Sequence, residues 1–455
     1  MTGQNGATRA EFSALIGKYP EIRFVDAVMS DLCGILRGKR LPIGEASKLF
    51  DSGLQLPFSV HLMDARGEMA NPQGRGFSDG DPDGTAWPLP GTVMRVWGGG
   101  PPRAQILMAL HGGDGKPFAG EPRAVLARTL EKFRALDLRP VVALELEFYL
   151  IDQARLIDGA PQPPICPRTG ARERSVQVYG MDDLDRYEGF LSALSEAAQM
   201  QRVPVSAASS EYAPGQFEAN LKHQDEALAA ADHAVLLRQI VKAAALSQRA
   251  NATFMAKPYA ERAGSGLHVH LSLLDAKGRN VFDDGSDAGG EMLRFAIGGL
   301  QAAMPESMAI FAPNANSYRR FAPDMFAPVN RRWGVNNRSA GLRVPAGPGA
   351  ARRIEHRVAG ADANPYLVLA AVLAGVHHGL AGRIDPGPPA QGNVSRDRDP
   401  ALALGVEAGL AALDAAKTLP DYLGAEALAL YRETKAVELA RLRKPISNVE
   451  YDWYL

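Results

Sequence analysis

The chain has 455 residues, of which 46% are hydrophobic and 22% are charged, and its 50 lysines and arginines nearly balance its 51 aspartates and glutamates. This composition predicts a folded protein of two domains and leaves little room for extended disorder. The net charge of −1 argues against binding to nucleic acid or to an anionic membrane surface.

Cysteine content and the apolar runs indicate the compartment. Cys33 and Cys166 are too few for a disulfide framework and form no C-x-x-C pair, so we expect a reducing compartment. The first residues lack an apolar stretch behind a basic start, and the longest apolar run, from Tyr366 to Val376, is too short to span a bilayer. These features predict a cytoplasmic protein.

The first part of the chain is typical of a small β-rich unit. Residues 22–36 predict paired short strands, and the basic segment RGKR follows at 37–40. Glycine and proline then interrupt the chain repeatedly at 71–102 and 112–120. We place the domain boundary near residue 114, which divides the chain into domains at 18–113 and 114–455.

The larger domain alternates helices with strands. Apolar residues spaced three and four apart predict helices at 121–136, 183–201, 226–249, 364–380 and 425–442. Strand-like segments lie at 141–150, 204–220, 266–274 and 352–358, the second broken by a Pro-Gly turn. Most of the residues able to carry out chemistry fall on these strands.

Polar side chains share faces of two of the strands. Side chains alternate between the faces of a strand, so Glu145 and Glu147 lie on one face of an otherwise apolar segment. The same spacing recurs at His268 and His270. Buried carboxylates are normally paired with cations or metal, and imidazole is a good metal ligand or phosphate partner. A solvated sheet face is the alternative.

Two further segments add carboxylates. Glu211 and Glu218 lie on either side of a Pro-Gly turn that can bring them together. Glu355 shares a strand face with Arg353 and Arg357, a pattern that a salt-bridge ladder would also explain. Five glutamates with one or two histidines suit Mg²⁺ or Mn²⁺ rather than structural zinc. We therefore predict a divalent-metal site, with two ions.

Arginines are concentrated in one stretch that proline and glycine keep from being a regular helix. They are Arg319, Arg320, Arg331, Arg332, Arg338, Arg343, Arg352, Arg353 and Arg357. Guanidinium groups bind phosphate and carboxylate in a bidentate manner, so the cluster predicts an anion site. Neither a G-x-x-x-x-G-K-[ST] loop nor a G-x-G-x-x-G motif is present. Metals and arginines would then have to hold any ATP.

Six motifs in this order resemble the glutamine synthetase superfamily. They are E-x-E (Glu145, Glu147), E-x-x-P-G-Q-x-E (Glu211 to Glu218), K-P…G-S-G-L-H-V-H (Lys257 to His270), N-S-Y-R-R (Asn316 to Arg320), N-R-S-A-x-x-R-V-P (Asn337 to Pro345) and R-R-I-E-x-R (Arg352 to Arg357). The resemblance implies an α+β fold with a small β-grasp N-terminal domain and a catalytic domain with a curved antiparallel sheet. It also implies a ring-shaped homo-oligomer, a dodecamer, with active sites between neighbouring subunits.

The resemblance also assigns roles to individual residues. One metal would be held by Glu147, Glu211 and Glu218, and the other by Glu145, His268 and Glu355. Glutamate would be bound by Arg320 and Arg357 with help from Gly264, next to the metal ligand His268. ATP and the transferred phosphoryl group would be bound by His270, Ser272, Arg338, Arg343 and Arg353. Catalysis would rest on Arg338, Arg343, Glu147 and Glu211, through an acyl phosphate that an amine then attacks.

Several departures from glutamine synthetase bear on the acceptor. The flap position that carries a glutamate in glutamine synthetases is Phe326 here, and residues 54–60 read LQLPFSV where an F-D-G-S-S segment is expected. Two carboxylates that favour ammonium are therefore missing. A phenyl ring can pack against a larger amine. With Trp333, RGKR and APGQFE, these changes resemble the γ-glutamylpolyamine synthetase and glutamate-putrescine ligase branch.

The sequence leaves other functions open. Ordinary glutamine synthetase, using ammonium, is the main alternative. Ala263 replaces an asparagine that is usual next to the glutamate site, so contact with the amino acid could differ from that in glutamine synthetase. A tyrosine that is adenylylated in some relatives is absent around Gly392 to Ser395. A zinc amidohydrolase would need further histidine ligands, and a non-catalytic ring scaffold would not need all six metal ligands. The amine could be putrescine, spermidine, ethanolamine or a monoamine.

Overall fold

The computed structural model describes residues 2–286 and 289–455. Their helices are α1 (Thr2–Lys18), α2 (Lys48–Asp51), α3 (Pro122–Arg134), α4 (Met181–Arg186), α5 (Glu188–Met200), α6 (Ala227–Ser247), α7 (Glu291–Phe311), α8 (Pro365–Gly382), α9 (Val406–Asp414), α10 (Pro420–Leu423), α11 (Ala425–Arg443) and α12 (Asn448–Tyr454). Their strands are β1 (Phe24–Ser30), β2 (Leu36–Pro42), β3 (Leu54–Pro57), β4 (Asp83–Pro88), β5 (Met94–Arg95), β6 (Arg103–His111), β7 (Arg139–Asp152), β8 (Val205–Ser210), β9 (Gln216–Leu221), β10 (Ala250–Thr253), β11 (Leu267–Leu274), β12 (Trp333–Val335), β13 (Leu342–Val344) and β14 (Ile354–His356).

The first sheet has the strand order β2-β1-β6-β4-β3, with β5 added beside β6. Strands β1 and β2 form the expected antiparallel pair, and β1 runs parallel to β6. The RGKR segment lies inside β2 rather than after the strands, and helix α1 was not predicted. This sheet ends at His111 and α3 begins at Pro122. A domain boundary near residue 114 stays our proposal.

The second sheet has the order β12-β13-β14-β11-β7-β9-β8, and β10 also pairs with β7. Its neighbours are antiparallel except for β12 and β13, which run parallel. All four strand segments predicted for this domain are present as β7, the β8–β9 hairpin, β11 and β14. The long strand β7 therefore lies between the strands that carry His268 and Glu218.

The helices predicted in the larger domain are present, although Tyr187 separates the predicted helix 183–201 into α4 and α5. Helix α7 was not predicted, because Gly298, Gly299 and Pro305 interrupt its apolar pattern. These glycines let α7 approach α8 closely. A Cβ atom at Gly299 would collide with the carbonyl oxygen of Gly375, so only glycine allows this contact.

Helix α8 is long and apolar enough to cross a bilayer by length and composition alone. In the fold, 72% of this apolar stretch, Pro365–Gly382, is buried inside the protein, where α8 packs against α7 and α3. A helix that is apolar on all sides is expected in a protein core. It accounts for the long apolar run seen in the sequence.

Candidate active site

The register of the second sheet sets the predicted residues directly opposite one another. Glu145 pairs with His268 across β7 and β11, and Glu147 pairs with Glu218 across β7 and β9. Glu355 on β14 pairs with His270 on β11 and with Arg343 on β13. Directly paired side chains lie on one face with Cβ atoms about 4.5–5.5 Å apart. The alternation of the strands therefore places these groups together.

Two groups of three ligand atoms lie close enough to hold a divalent cation. In one, the atoms come from Glu145, His268 and Glu355, and in the other from Glu147, Glu218 and His268; within each group they lie within 4.8 Å of one another. The first group is the predicted one. In the second, His268 takes the place that the sequence analysis gave to Glu211, whose carboxylate is outside the group.

Short contacts hold the ligands in position. Nδ1 of His268 is 3.3 Å from a carboxylate oxygen of Glu145, and Nε2 of His270 is 2.9 Å from the other. Nε2 of His268 lies 3.9 Å from Glu147, whose other oxygen accepts the backbone N–H of Gly266 at 2.7 Å. The imidazole of His268 therefore stands between the two groups.

Electrostatics separate the carboxylates into two kinds. Burial opposes ionisation of Glu145 and Glu355, but nearby basic side chains outweigh it. The histidines at 268 and 270 hold the pKa of Glu145 well below its usual range, and Arg357 with its neighbours lowers the pKa of Glu355 to about 2. Burial and nearby glutamates raise the pKa of Glu211 to about 8 and that of Glu218 to about 8. Glu211 and Glu218 therefore have less compensating positive charge around them than Glu145 and Glu355 have.

This imbalance fits a bound divalent cation. Glutamates directly opposite each other on a sheet, such as Glu147 and Glu218, repel one another unless a cation lies between them. The donor set of carboxylate oxygens and imidazole, without a thiolate, suits Mg²⁺ or Mn²⁺. Glu211 lines the same cavity and adds a further carboxylate beside this group.

Metal affinity is expected to rise with pH between 6 and 9. Near neutral pH the metal-free Glu211 and Glu218 hold protons, since each has a pKa of about 8, and a cation must displace them. Because two protons are released, the apparent affinity should increase by up to roughly a hundredfold per pH unit and level off above pH 8. Calorimetric titration with Mn²⁺ at pH 6, 7, 8 and 9 measures this. An affinity that does not change with pH would contradict the assignment.

The arginine cluster divides into two sets. Four arginines line the same cavity of about 450 Å³ as the glutamates, namely Arg338, Arg343, Arg353 and Arg357. Arg331 and Arg332 instead form ion pairs with Asp399 and Asp397, and the guanidinium of Arg352 donates to the carbonyl of Ser286. The predicted anion site therefore consists of the arginines from 338 onward that face the sheet.

Specific contacts orient three of these four arginines. Arg343 donates from Nη1 to Glu355 at 2.7 Å and from Nη2 to Oδ1 of Asn336 at 2.8 Å. Arg357 also donates to Glu355. Arg353 donates from Nε to Nδ1 of His270 at 3.1 Å. Glu355 thus connects the cation ligands with the anion-binding side chains.

Two predicted substrate residues do not line the cavity. Arg320 is buried, and its Nη1 donates to the carbonyl of Val358 at 3.1 Å while its side chain packs behind the turn that contains Gly264 and Gly266. Ser272 lies on β11 two residues beyond His270 and is also outside the cavity lining. Gly264 itself does line it, and its carbonyl accepts a hydrogen bond from Gln216 at 3.0 Å.

An aromatic pair forms another part of the cavity wall. The rings of Tyr212 and Phe326 have centroids 4.4 Å apart, and both side chains line the cavity. The sequence analysis singled out Phe326 but missed Tyr212, Tyr179 and Gln216. Tyr212 follows Glu211 in the β8–β9 hairpin, and this position next to a predicted ligand could have identified it from the sequence.

An oxygen-rich cation site that faces four arginines across a curved sheet is the site of a metal-dependent enzyme acting on anionic substrates. Residues 119–454 match the glutamine synthetase catalytic domain family. The chain is 39% identical to gamma-glutamylputrescine synthetase PuuA of Escherichia coli (strain K12), over 99% of this chain and 96% of that protein. It is 33% identical to glutamate–isopropylamine ligase of Pseudomonas sp, over 76% of this chain and 72% of that one.

A solved structure of GmaS in complex with ADP, conformation 1, has the same fold, with a TM-score of 0.83 and 26% identity over 97% of this chain and 99% of that one. This chain belongs to the glutamine synthetase family, and it is an ATP-dependent carbon–nitrogen ligase. The comparisons confirm the family, the α+β fold and the enzyme class that the motifs predicted.

Proposed function

We propose that the enzyme joins the side-chain carboxylate of glutamate to an organic amine, with ATP as the activating substrate and γ-glutamyl phosphate as the intermediate. The observation that carries the choice of amine is Phe326, an apolar ring on the cavity wall at the flap position where glutamine synthetases carry a carboxylate. The two relatives reported above have names that specify putrescine and isopropylamine, which supports an organic acceptor.

Space beyond the ring favours an amine larger than ammonium. A second cavity of about 340 Å³ adjoins the active site and shares Phe326 and Arg338 with it. A carbon chain that passes Phe326 would lie against the rings of Phe326 and Tyr212, where apolar contact stabilises it. Ammonium has no such carbon chain, so contact with these rings would contribute little to its binding.

The site residues have separate tasks in this proposal. Glu145, His268 and Glu355 would hold one divalent ion, and Glu147, Glu211 and Glu218 would hold the second. The ions, when bound, neutralise charge on the transferred phosphoryl group. Arg343 and Arg353 bind the phosphate oxygens, and His270 orients Arg353. Such fixed positive charge stabilises phosphoryl transfer mainly by electrostatics.

The acyl substrate is bound on the other side of the ligand groups. Arg357 lines the cavity and binds the carboxylate of glutamate, while Gly264 exposes backbone on which the amino acid rests. Arg320 supports the turn that contains Gly264, because its side chain packs against that turn. The glutamate side-chain carboxylate attacks the γ-phosphate and ADP leaves. The uncharged amine then attacks the acyl carbon, and phosphate leaves with the proton that the amine nitrogen loses.

Replacing Phe326 with alanine is expected to raise the KM for putrescine about tenfold, because the amine loses a ring contact. The KM for ATP should change less than about threefold. Steady-state phosphate release measures both constants. Phe77→Ala serves as the matched control, since Phe77 is 85% exposed and lies outside the cavity lining. An unchanged KM for every organic amine tested would contradict a role for this ring.

Assembly and location remain proposals that rest on the family. We propose a ring-shaped homo-oligomer, a dodecamer, in which neighbouring subunits complete each active site. We also propose a cytoplasmic location, consistent with two cysteines that are unpaired in the structure. Neither proposal depends on which amine the enzyme uses.

A further inference from the structure

A separate cavity lies between the β1–β2 hairpin and helix α6. It has a volume of about 470 Å³ and shares no lining residue with the active-site cavity. The polar residues of its wall are Arg238, Gln239, Lys242, Thr253 and Asp362, and Gly34 to Leu36 of the hairpin close one side. Nothing in the ligase reaction proposed above uses this cavity.

Arg238 brings a buried positive charge to the wall. The residue is only 8% exposed, and its Nη2 donates to the carbonyls of Ala361 and Ala363. Its Nε has no hydrogen-bond partner among the described residues. A Cβ atom built on Gly34 would lie 3.0 Å from Nη1, so this end of the guanidinium reaches the side of the cavity that Gly34 lines.

A second cation lies one turn further along α6. Lys242 follows Arg238 by four residues, which puts both side chains on the same helix face. Partial burial and the charge of Arg238 lower the pKa of Lys242, whose side chain also reaches the surface. Two like charges are therefore held close together at one cavity, an arrangement that an anion would relieve.

Asp362 is the acidic residue of the wall, and other groups share its charge. Its Oδ2 accepts hydrogen bonds from Asn314 at 2.7 Å and from Ser317 at 2.6 Å. Its charge also raises the pKa values of Arg320 and Lys435, although burial outweighs this at Arg320. Asp362 also raises the pKa of Arg238, although burial outweighs this, and its Oδ1 has no hydrogen-bond partner among the described residues. One carboxylate therefore faces two cations in this wall, which keeps a net positive charge.

We propose that this cavity binds a small organic dicarboxylate, with its carboxylates at Arg238 and Lys242. Nη1 of Arg238 is the donor left for a carboxylate, because Nη2 already donates to two carbonyls, and Lys242 adds a point charge. The amide oxygen of Gln239 has no partner among the described residues, so the amide group is free to turn its NH₂ toward the ligand. An occupant would also contact Thr253 to Met255, which lead directly into the segment ending at Gly264.

Calorimetric titration with succinate tests the proposal on the full-length protein. Wild type and Lys277→Glu should bind succinate with equal affinity, and Lys242→Glu should bind it about tenfold more weakly, since it loses a charge-assisted contact. Both lysines are exposed on the surface, so both substitutions should leave the fold intact, and they change the net charge equally. Succinamide, which has the same shape without charge, should not bind.

Two results would overturn the proposal. One is the absence of succinate binding to the wild type. The other is an equal affinity in Lys242→Glu and Lys277→Glu, which would place the bound succinate elsewhere, for example at the arginines of the active site. Neither result bears on the ligase reaction, because Lys242 and Lys277 lie outside the active-site cavity.

Discussion

Replacing Glu355 with glutamine is expected to lower kcat/KM roughly a thousandfold, a loss of about 4 kcal/mol in transition-state stabilisation. Glu355 supplies one of the three ligand atoms of its cation group and accepts hydrogen bonds from Arg343 and Arg357. With a pKa of about 2 it is ionised throughout the working pH range. Glutamine keeps the shape but removes the charge. Cation binding is therefore weaker, and both arginines lose their ionic partner.

Steady-state phosphate release and Mn²⁺ calorimetry together measure this effect. Glu45→Gln is the matched control, because Glu45 is exposed and lies far from the second sheet in the chain. We expect normal rates for this control. Thermal unfolding shows whether Glu355→Gln is folded. A folded Glu355→Gln enzyme with near wild-type kcat/KM and Mn²⁺ affinity would remove Glu355 from the metal site.

Replacing Arg343 with lysine is expected to lower kcat about a hundredfold. Arg343 donates to Glu355 and to Asn336 at the same time, and it still lines the cavity where phosphate oxygens would bind. The ammonium of lysine is a point charge that cannot reproduce this forked geometry. The loss should appear mainly in kcat, because the contact is needed as charge develops on the transferred group.

Arg332→Lys provides the comparison from the same stretch of chain. Arg332 is exposed and pairs with Asp397, and it lies outside the cavity lining. Single-turnover phosphate release should be slow in Arg343→Lys and normal in Arg332→Lys. If kcat in Arg343→Lys fell less than about threefold, the phosphoryl group would have to be bound by other residues.

Strand periodicity made much of the site predictable from the sequence. Because side chains alternate on a strand, the pairs Glu145/Glu147 and His268/His270 had to share faces, and the structure brings them together. The turn at Pro214 to Gln216 likewise brought Glu211 and Glu218 to one cavity. The order of the motifs then identified the family.

Features that depend on tertiary packing were not predictable in the same way. The ring contact between Tyr212 and Phe326 joins residues more than a hundred positions apart, and no local pattern indicates it. Arg320 belongs to a matched motif, yet it packs behind the turn at Gly264 because its partners are backbone groups of other segments. Helix α7 was missed because its glycines serve close packing with α8 rather than breaking the helix.

The second ligand group contains His268 where Glu211 was predicted, and this difference also depends on tertiary packing. Sequence motifs identify which residues are ligands, but they do not give the distances between side-chain atoms. In the structure His268 lies between Glu145 and Glu147, so its two ring nitrogens face different groups.

ATP-dependent phosphate release with glutamate and Mg²⁺ tests the central claim most directly, with ammonium, putrescine, spermidine, ethanolamine and ethylamine compared in parallel. The proposal predicts that an organic amine gives the highest kcat/KM, by roughly a hundredfold over ammonium, since a few apolar contacts along the carbon chain contribute about 1–3 kcal/mol. Ammonium as the best acceptor would contradict it and assign the reaction of glutamine synthetase, and no turnover with any of the five amines would contradict glutamate–amine ligation itself.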